Sequence, residues 1–527
     1  MHLTQSLKRA LQMSPQGVAT IFGERQHTWS DFYQRITCAA AGLLALGLEK
    51  QDRVAILSLN SDRYFELVYA LPWASLISVP LNIRLAPAEI IFLLNDSGTK
   101  VLCVDETFSA MLSEFEGKLD TVETIVYMGD KELDDAVSFD VASYGTVLYE
   151  DLLSNSEAIE DTGAGGDEVA GIFYTGGTTG LPKGVMLTHD NLVANGLNAV
   201  HGFGFTKHSR YLHAAPMFHA ADAAANIGLT MLGGTHVFVP NFEPELVLDI
   251  FATSEVTNVM LVPTMVNMLV NTQGFETYDL SPLVRICYGG SPMPEAVLLK
   301  AKELMPHVEF AQAYGMTELS PIITILDDEY HVTDGPKAGK IRSAGQVVLS
   351  GEIRVVNEND EELPRGQIGE VVARGPMVMK GYWNRDTETA QALAHGWMHT
   401  GDAGYMDEDG FVFIADRVKD MIISGGENIY SVEVENAVQK HPAVSACAVI
   451  GIPHEEWGEE VIAVVVPDGN SSVNQKEIIE FCTEIIAGYK CPRGVVFIDE
   501  LPTSGAGKIL KNKLREPYWE GREKNVN

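Results

Sequence analysis

The sequence contains few cysteines and none of the spacings that usually make them functional. Its 527 residues include six cysteines, and no two of them form a Cys-x-x-Cys pair. Zinc sites and disulfide frameworks need such clustered or paired cysteines, so neither is expected to organise this fold. The thiols fit a reducing compartment, and the N-terminal residues lack an apolar segment of signal-peptide length, so we expect a cytoplasmic protein.

Basic residues are also scarce, because 37 Lys and Arg stand against 72 Asp and Glu and give a formal net charge of −35. Such a surface repels polyanions, so we expect no nucleic-acid partner. An exception is the segment 490–524, which contains eight basic and five acidic residues. Any phosphate-rich ligand should therefore meet locally gathered positive charge.

Long uninterrupted apolar runs are missing as well. Residues 223–242 and 256–275 are uncharged, but Gly, Pro, Asn or His interrupts both. They predict buried strand–turn–helix segments and no membrane span. With 46% apolar residues, a chain of this length forms two or three packed units.

The first half alternates strand-like and helix-like runs, including a helix that we expect to be capped by Ser30. This alternation predicts an α/β fold with parallel sheets covered by helices. Residues 128–168 are acidic and weakly patterned, and they are interpreted as a connecting segment. After about residue 345 the pattern favours a small β unit and then a small α+β domain. We place the domains at 1–418 and 419–527.

A glycine- and threonine-rich stretch, IFYTGGTTGLPKGVMLTH, spans residues 172–189. Glycines that turn their N–H groups inward, with hydroxyls and a lysine, suit an oxygen-rich anion such as a polyphosphate. The stretch is not a P-loop, because Gly184 follows Lys183 where a magnesium-binding Ser or Thr would be needed. A plain surface loop remains the alternative at this point.

Further motifs follow this loop in a fixed order. They are YTGGTTGLPKG at 174–184, AYGMTE at 313–318, TGD at 400–402, DRVKDMIISGGENIY at 416–430 and SGAGKILK at 504–511. Together they resemble the adenylate-forming superfamily of acyl-CoA synthetases, aryl-CoA ligases, luciferases and peptide-synthetase adenylation domains. One departure is Gly176, which stands where that family commonly has Ser.

The resemblance implies that a small carboxylic acid attacks the α-phosphate of ATP, giving an acyl-adenylate and pyrophosphate before transfer to CoA. Because two anions must meet, such a site needs cations and N–H donors. It also implies Mg²⁺ held by Glu318, contact of Thr317 with the α-phosphate, and Lys508 as the catalytic lysine. The implied ATP and AMP contacts are Thr175, Gly176, Gly177, Thr178, Thr179, Gly180, Lys183, Gly289, Gly290, Ser291, Tyr314, Gly315, Asp402 and Arg417.

By the same resemblance, Asp402 accepts both ribose hydroxyls, Arg417 lies near the ribose and phosphate, and Tyr314 flanks adenine. The turn 289–291 is equally well read as a tightly packed strand end. Taken alone, Thr317 and Glu318 also match an acidic helix start.

The family's small domain rotates after adenylation, which implies a hinge at Lys419. After that rotation, Gly425 and Gly426 would adjoin the pantetheine arm of CoA. Trp457 and Lys490 are weaker candidates for CoA contacts, and Trp457 fits the core as well. The small domain is therefore expected to be mobile.

His219 and Met316 are candidates for lining the acyl pocket. The spacing of His219 and Asp222 is no metal pair, because a third ligand is missing. The pocket segments are small and apolar, which disfavours amino acids. We therefore expect an acid–CoA ligase acting on a medium- or long-chain fatty acid. A hydroxycinnamate-type aryl acid is the alternative, and a luciferase-like or CoA-independent enzyme is disfavoured. The oligomeric state stays open, with a homodimer among the alternatives.

Overall fold

The computed structural model describes residues 1–130, 144–175, 182–291, 293–417, 420–424, 427–454, 457–469, 473–503 and 509–520. The side chains of residues 416, 417, 427 and 428 are not among the described atoms. The described helices are α1 Thr4–Met13, α2 Trp29–Ala45, α3 Asp62–Trp73, α4 Pro87–Ser97, α5 Leu112–Phe115, α6 Tyr149–Ser154, α7 His189–Gly202, α8 Ala220–Leu232, α9 Pro244–Thr253, α10 Pro263–Val270, α11 Glu295–Leu304, α12 Asp386–Ala392, α13 Ser431–Val438, α14 Gln475–Thr483 and α15 Lys511–Trp519.

The described strands are β1 Val18–Phe22, β2 Arg25–Thr28, β3 Arg53–Leu57, β4 Ile77–Pro80, β5 Thr99–Val104, β6 Thr124–Tyr127, β7 Gly145–Leu148, β8 Val169–Thr175, β9 Lys183–Thr188, β10 Arg210–His213, β11 Thr235–Phe238, β12 Asn258–Leu261, β13 Arg285–Gly289, β14 Glu309–Gly315, β15 Ile322–Leu326, β16 Gln346–Val347, β17 Glu352–Val356, β18 Gly369–Arg374, β19 Gly381–Tyr382, β20 Met398–Met406, β21 Val412–Arg417, β22 Ile422–Ser424, β23 Glu427–Ile429, β24 Val444–His454, β25 Gly458–Pro467 and β26 Gly494–Phe497. They fold into two compact units.

The first unit comprises Met1–Ile341, Gly345–Glu352 and Ala373–Met398. Within its described residues, one sheet has the order β16-β15-β14-β13-β12-β10-β11-β1-β2, and the other has the order β19-β9-β8-β4-β3-β5-β6-β7. The central pairs β10·β12, β12·β13, β13·β14, β3·β4 and β3·β5 are parallel. This confirms the predicted helix-covered parallel sheets.

Short apolar strands explain these sheets. β3 reads RVAIL, and its last four residues are buried. Strands of a parallel sheet are covered by helices on both faces, so near-continuous apolar runs are needed instead of alternating ones. Each of the two sheets has its own cluster of buried apolar side chains. One cluster includes Leu261 and Phe310, and the other includes Leu102 and Ile172.

The segment 128–168 was interpreted as a connection, and the structure corrects this. β7 pairs in parallel with β6, and α6 follows at once. The first residue of that helix, Tyr149, is almost completely buried and donates a 2.9 Å hydrogen bond to Glu66. The acidic composition hid this element because its few apolar residues carry the packing. Residues 131–143 of the segment lie outside the described residues.

A second correction concerns the cap of α2. Thr28, and not Ser30, is its N-cap, since the Thr28 hydroxyl accepts from the Asp31 N–H and Asp31 bonds back to the Thr28 N–H. This reciprocal pair is a capping box. The uncharged stretches do form strands and helices, namely the end of α8 with β11 and then β12 with α10. No helix in the described part of the chain is long and apolar enough to cross a membrane.

The second unit comprises Arg342–Ala344, Ile353–Val372 and His399–Asn527. It contains a small sheet in the order β17-β18-β20-β21 and a sheet in which β24 and β25 pair over most of their length. α13 and α14 cover the latter around a core that includes Val449 and Ile478. The predicted β unit and α+β region are therefore both present, while the boundary between 418 and 419 stays a prediction.

Candidate active site

Two of the predicted segments meet at the carboxyl ends of neighbouring parallel strands. β13 and β14 pair so that Gly289 lies opposite Ala313. The turn 289–291 therefore follows β13 beside the last two residues of β14, Tyr314 and Gly315. Gly289 is needed at this point, because a Cβ there would lie 2.3 Å from the Ala313 carbonyl oxygen. Ligands of open α/β sheets bind outside the carboxyl ends of the strands, so this is a favourable place for a nucleotide.

Thr317 and Glu318 form a short 3₁₀-helix, Thr317–Leu319, directly after β14. Thr317 is partly exposed, whereas Glu318 is only 6% exposed. The backbone of Glu318 is fixed, since its carbonyl oxygen accepts from the Met379 N–H at 2.8 Å. Met316 is the N-cap residue before this turn and is partly buried. The structure thus holds one carboxylate firmly at the end of β14.

The glycine-rich loop joins two strands of the second sheet of this unit. Thr175 ends β8 and Lys183 begins β9, and the two residues are paired across an antiparallel ladder. The predicted contacts at 176–180 lie outside the described residues. The hairpin geometry shows that Lys183 stands at the base of the loop.

One contact near these residues was not predicted from the sequence. The Tyr382 hydroxyl donates a 2.8 Å hydrogen bond to Glu318 Oε1, and Lys183 Nζ lies 5.1 Å from the centroid of the Tyr382 ring. A cation within about 6 Å of a ring face is attracted to it. Nothing in the spacing of GYW at 381–383 connects it to a residue 64 positions earlier, so only the fold reveals the contact.

His219 is the N-cap residue of α8 and packs against Phe218, with ring centroids 4.1 Å apart. Asp222, in the first turn of α8, does not face His219 as a metal partner would. Its carboxylate oxygens each lie 2.9 Å from Nδ1 of His213. His219 therefore stands at the start of the helix that follows PMF, where an acyl-pocket residue was expected.

In the second unit, Asp402 is 5% exposed and lies on β20. The Asp402 N–H donates to Thr400 Oγ1 at 3.1 Å, and the Gly401 N–H donates to Glu370 Oε1 at 2.9 Å. Asp402 pairs with Arg417 across the β20·β21 ladder, which brings these two predicted nucleotide residues to adjacent strands of one sheet. The backbone of β20 at Gly401 and Asp402 is thus held by the side chains of Glu370 and Thr400.

The weaker candidates on this unit are both engaged. Lys490 Nζ lies 2.7 and 2.8 Å from the two carboxylate oxygens of Glu433, which raises the pKa of the lysine. Trp457 lies at the tip of the β24·β25 hairpin, between the His454 ring at 4.4 Å and the Arg493 guanidinium at 3.9 Å. It is therefore a partly exposed, stacked residue and not part of the core. Lys419, Gly425, Gly426 and Lys508 lie outside the described residues.

The donor set of the first unit fits a magnesium ion that arrives with ATP. Mg²⁺ is commonly bound by one or two carboxylates together with substrate phosphates. Glu318 supplies one such carboxylate at a fixed backbone position. Among the described residues, no group of three or more His, Cys, Asp or Glu could hold an ion by itself.

These features are compatible with an enzyme that activates a carboxylic acid with a nucleotide, and the comparison with known families shows the class. The chain belongs to the AMP-binding enzyme family, whose model matches residues 7–383. The model of the AMP-binding enzyme C-terminal domain matches residues 433–508. The protein is accordingly an AMP-forming acyl-CoA synthetase, and CoA ligases of this family use ATP and CoA.

Similar proteins agree with this class. A feruloyl-CoA synthase of an Amycolatopsis species is 39% identical over 97% of this chain and 98% of its own length. A long-chain-fatty-acid–CoA ligase of Mycobacterium tuberculosis is 35% identical over 90% of each chain. Among solved structures, the o-succinylbenzoate CoA synthetase of Bacillus subtilis in complex with its acyl-adenylate intermediate has a TM-score of 0.82 and 31% identity. That match covers 97% of each chain.

Proposed function

We propose that this ligase joins a hydroxycinnamate-class aryl acid to CoA. The observation that carries this proposal is the 39% identity to the feruloyl-CoA synthase over almost the whole of both chains. The composition after His219 is compatible with this proposal, since α8 begins AADAAA, a run of mostly small side chains. The sequence alone had favoured a fatty acid.

A medium- or long-chain fatty acid remains the second candidate, and one observation favours it. An apolar cavity of about 40 Å³ adjoins Met217, two residues before His219, and is lined by side chains such as Val68, Phe173 and Ile227. The 35% identical relative acts on long-chain fatty acids according to its name.

The adenylation step can be assigned to residues of this chain. Lys183 and the loop that it anchors would neutralise the β- and γ-phosphates. Thr317 would donate to the α-phosphate, and Glu318 would hold the Mg²⁺ that travels with ATP. The ion would reduce the charge repulsion between ATP and the incoming carboxylate. Lys508 would bridge that carboxylate and the α-phosphate.

Further roles in the proposed function belong to residues of both units. Asp402 on β20 would accept the ribose hydroxyls, and Arg417 on the paired strand β21 would lie close to them. Tyr314 and the turn 289–291 would enclose adenine in the first unit. Gly425 and Gly426 would adjoin pantetheine, Lys419 would be the hinge, and 1–418 and 419–527 would be the working domains. A cytoplasmic location suits the free thiols of this chain.

The test uses purified full-length enzyme with Mg²⁺, ATP, CoA and a panel of ferulate, p-coumarate, octanoate and palmitate. We expect AMP and pyrophosphate in equal amounts with the CoA thioester, and a kcat/KM for ferulate at least about tenfold above that for either fatty acid. One methylene or ring contact changes selectivity by about 10–200-fold, so such a preference is measurable. Release of ADP would contradict the mechanism, and a preference for palmitate would contradict the aryl-acid assignment alone.

A further inference from the structure

Tyr382 reaches the candidate active site through a short edge strand. β19, Gly381–Tyr382, pairs antiparallel with β9, so that Gly381 lies opposite Met186 and Tyr382 opposite Val185. β9 is the strand that begins at Lys183. The position of Tyr382 is therefore tied by backbone pairing to the base of the glycine-rich loop.

The segment 379–382 makes two hydrogen bonds to Glu318. Its backbone donates to the Glu318 carbonyl oxygen from Met379 at 2.8 Å, and its side chain donates from the Tyr382 hydroxyl to Glu318 Oε1, also at 2.8 Å. Tyr382 is 8% exposed, so little solvent competes for this contact. A carboxylate can only accept, so the Tyr382 hydroxyl is the donor.

The face of the same ring lies near Lys183, whose Nζ is 5.1 Å from the ring centroid. One tyrosine therefore contacts both the lysine at the base of the loop and the carboxylate at the end of β14. Its hydroxyl orients an anion and its ring orients a cation. Ion–ring and charged hydrogen-bond contacts together hold two long side chains that would otherwise sample several rotamers.

We propose that Tyr382 is a positioning residue for adenylation, which fixes the Glu318 carboxylate and the Lys183 ammonium relative to each other before Mg·ATP binds. This inference rests on the roles proposed above for Glu318 and Lys183. Tyr382 itself would touch neither substrate nor metal. Because Tyr382 already orders both side chains, their conformational entropy would not have to be lost when the nucleotide binds.

The first test is Tyr382→Phe, which removes the hydroxyl and keeps the ring beside Lys183. We expect acid-dependent exchange of pyrophosphate into ATP to fall about tenfold to a hundredfold. Calorimetric titration should show Mg·ATP binding weakened by about tenfold, while titration with ATP in the presence of EDTA should be unchanged. Unchanged exchange and unchanged Mg·ATP affinity would overturn the proposal.

A double-mutant cycle with Glu318→Gln separates positioning from general stabilisation. If Tyr382 acts through the Glu318 carboxylate, Tyr382→Phe should add less than about twofold to the loss already caused by Glu318→Gln. If the loss of exchange in the double variant equalled the product of the two single losses, the two residues would act independently. That result would overturn the inference. The double variant also removes the charge of Glu318, so it leaves no buried carboxylate without the Tyr382 donor.

Tyr149→Phe is the matched control, because it also removes a buried tyrosine–glutamate hydrogen bond of 2.9 Å within the same unit. It should keep both exchange and Mg·ATP affinity, and losses equal to those of Tyr382→Phe would contradict a specific role. Tyr382→Leu, which also removes the ring, should lose more exchange than Tyr382→Phe. If Glu318→Gln itself kept full exchange, the role of Glu318 would fail instead, so the two failures are distinguishable.

Discussion

Gly315 shows at the scale of one residue how tightly the end of β14 is built. It pairs with Ile322 on β15, and a Cβ added there would lie 1.8 Å from the carbonyl oxygen of Pro321. The obstacle is backbone, which cannot move aside as a flexible side chain could. The position therefore requires glycine for steric reasons, independently of any contact with a nucleotide.

We predict that Gly315→Ala destabilises the protein by about 3 kcal/mol or more, the upper range of overpacking in a dense interior. Urea unfolding followed by circular dichroism measures the change. Gly488→Ala is the control, because no atom lies within 4 Å of a Cβ at that position. Equal stability of both variants would show that the β14–β15 turn relaxes more easily than this geometry allows.

His331 links two segments beneath the candidate nucleotide site. Its Nδ1 lies 3.0 Å from the Asp327 carbonyl oxygen, which can only accept, so Nδ1 carries the proton and Nε2 accepts from the Tyr288 hydroxyl at 2.8 Å. Burial lowers the pKa of His331 to about 4 from an ordinary 6.5. The imidazole is therefore neutral in the folded protein and is protonated readily only after unfolding.

The pH dependence follows from this difference. Below about pH 6.5 the unfolded chain binds a proton at His331 that the folded chain does not bind. The free energy of unfolding is therefore not reduced by this histidine above that pH, and it falls as the pH decreases from 6.5 toward 4. The loss is at most about 3 kcal/mol, from a shift of about 2.5 pKa units. We predict that His331→Asn, which keeps a donor for Asp327, loses less stability than wild type between pH 7 and 4.5. Urea midpoints measure this, and exposed His208→Asn should follow wild type.

At the scale of elements, α8 is fastened to the sheet by a buried chain of hydrogen bonds. The Thr230 hydroxyl lies 3.1 Å from His236 Nε2, His236 Nδ1 lies 2.9 Å from His213 Nε2, and His213 Nδ1 lies 2.9 Å from Asp222. Burial and the neighbouring His213 lower the pKa of His236. The chain joins the first and last turns of α8 through β10 and β11.

We predict that Asp222→Ala has two effects, because it leaves a buried His213 N–H without its acceptor and loosens the start of α8. Stability should fall by about 1–3 kcal/mol, and the KM for the acid should rise more than the KM for ATP, since His219 begins the same helix. Asp222→Asn keeps an acceptor oxygen and is the control. If Asp222→Ala lowered stability but left the KM for the acid unchanged, the start of α8 would not be part of the acid pocket.

Elements with strong periodic patterns were predictable, and the less regular ones were not. Apolar strands such as β3 imposed parallel sheets, whereas the roles that the family motifs imply for Glu318 and Asp402 stay predictions. The capping box at Thr28 was missed because Ser30 also matches a cap, and only backbone geometry separates them. The network of His213, Asp222 and His236 depends on which strands become neighbours, which no local pattern specifies.

At the scale of the whole molecule, the net charge of −35 opposes compaction. Self-repulsion among surface charges weakens as salt shortens the Debye length from about 10 Å at 0.1 M to about 3 Å at 1 M. We predict that the urea midpoint rises as KCl increases from 0.05 to 1 M. Choline chloride at equal ionic strength should give the same rise, because screening does not depend on the cation. A rise with K⁺ alone would indicate specific ion binding instead.

The last prediction is based on the order of the motifs along the chain. It separates the two half-reactions, adenylation and thioester formation. Most proposed ATP contacts precede residue 418, whereas Lys508 and Gly426 lie after it. By its proposed role, Lys508 would place positive charge where carboxylate and α-phosphate meet, which only adenylation requires. Gly426 would leave space for pantetheine, which only thioester formation requires.

We therefore predict that Lys508→Ala loses acid-dependent exchange of pyrophosphate into ATP by about a hundredfold to a thousandfold, the usual effect of removing one preorganised charge contact. It should still convert supplied acyl-adenylate and CoA into the thioester. Gly426→Leu should keep the exchange and lose thioester formation. Exposed Lys513→Ala and Gly488→Leu, at a position where no atom lies within 4 Å of a Cβ, are the controls and should keep both steps. If each test variant lost both steps equally while remaining folded, one shared site would serve both half-reactions, and the division of labour between Lys508 and Gly426 would be wrong.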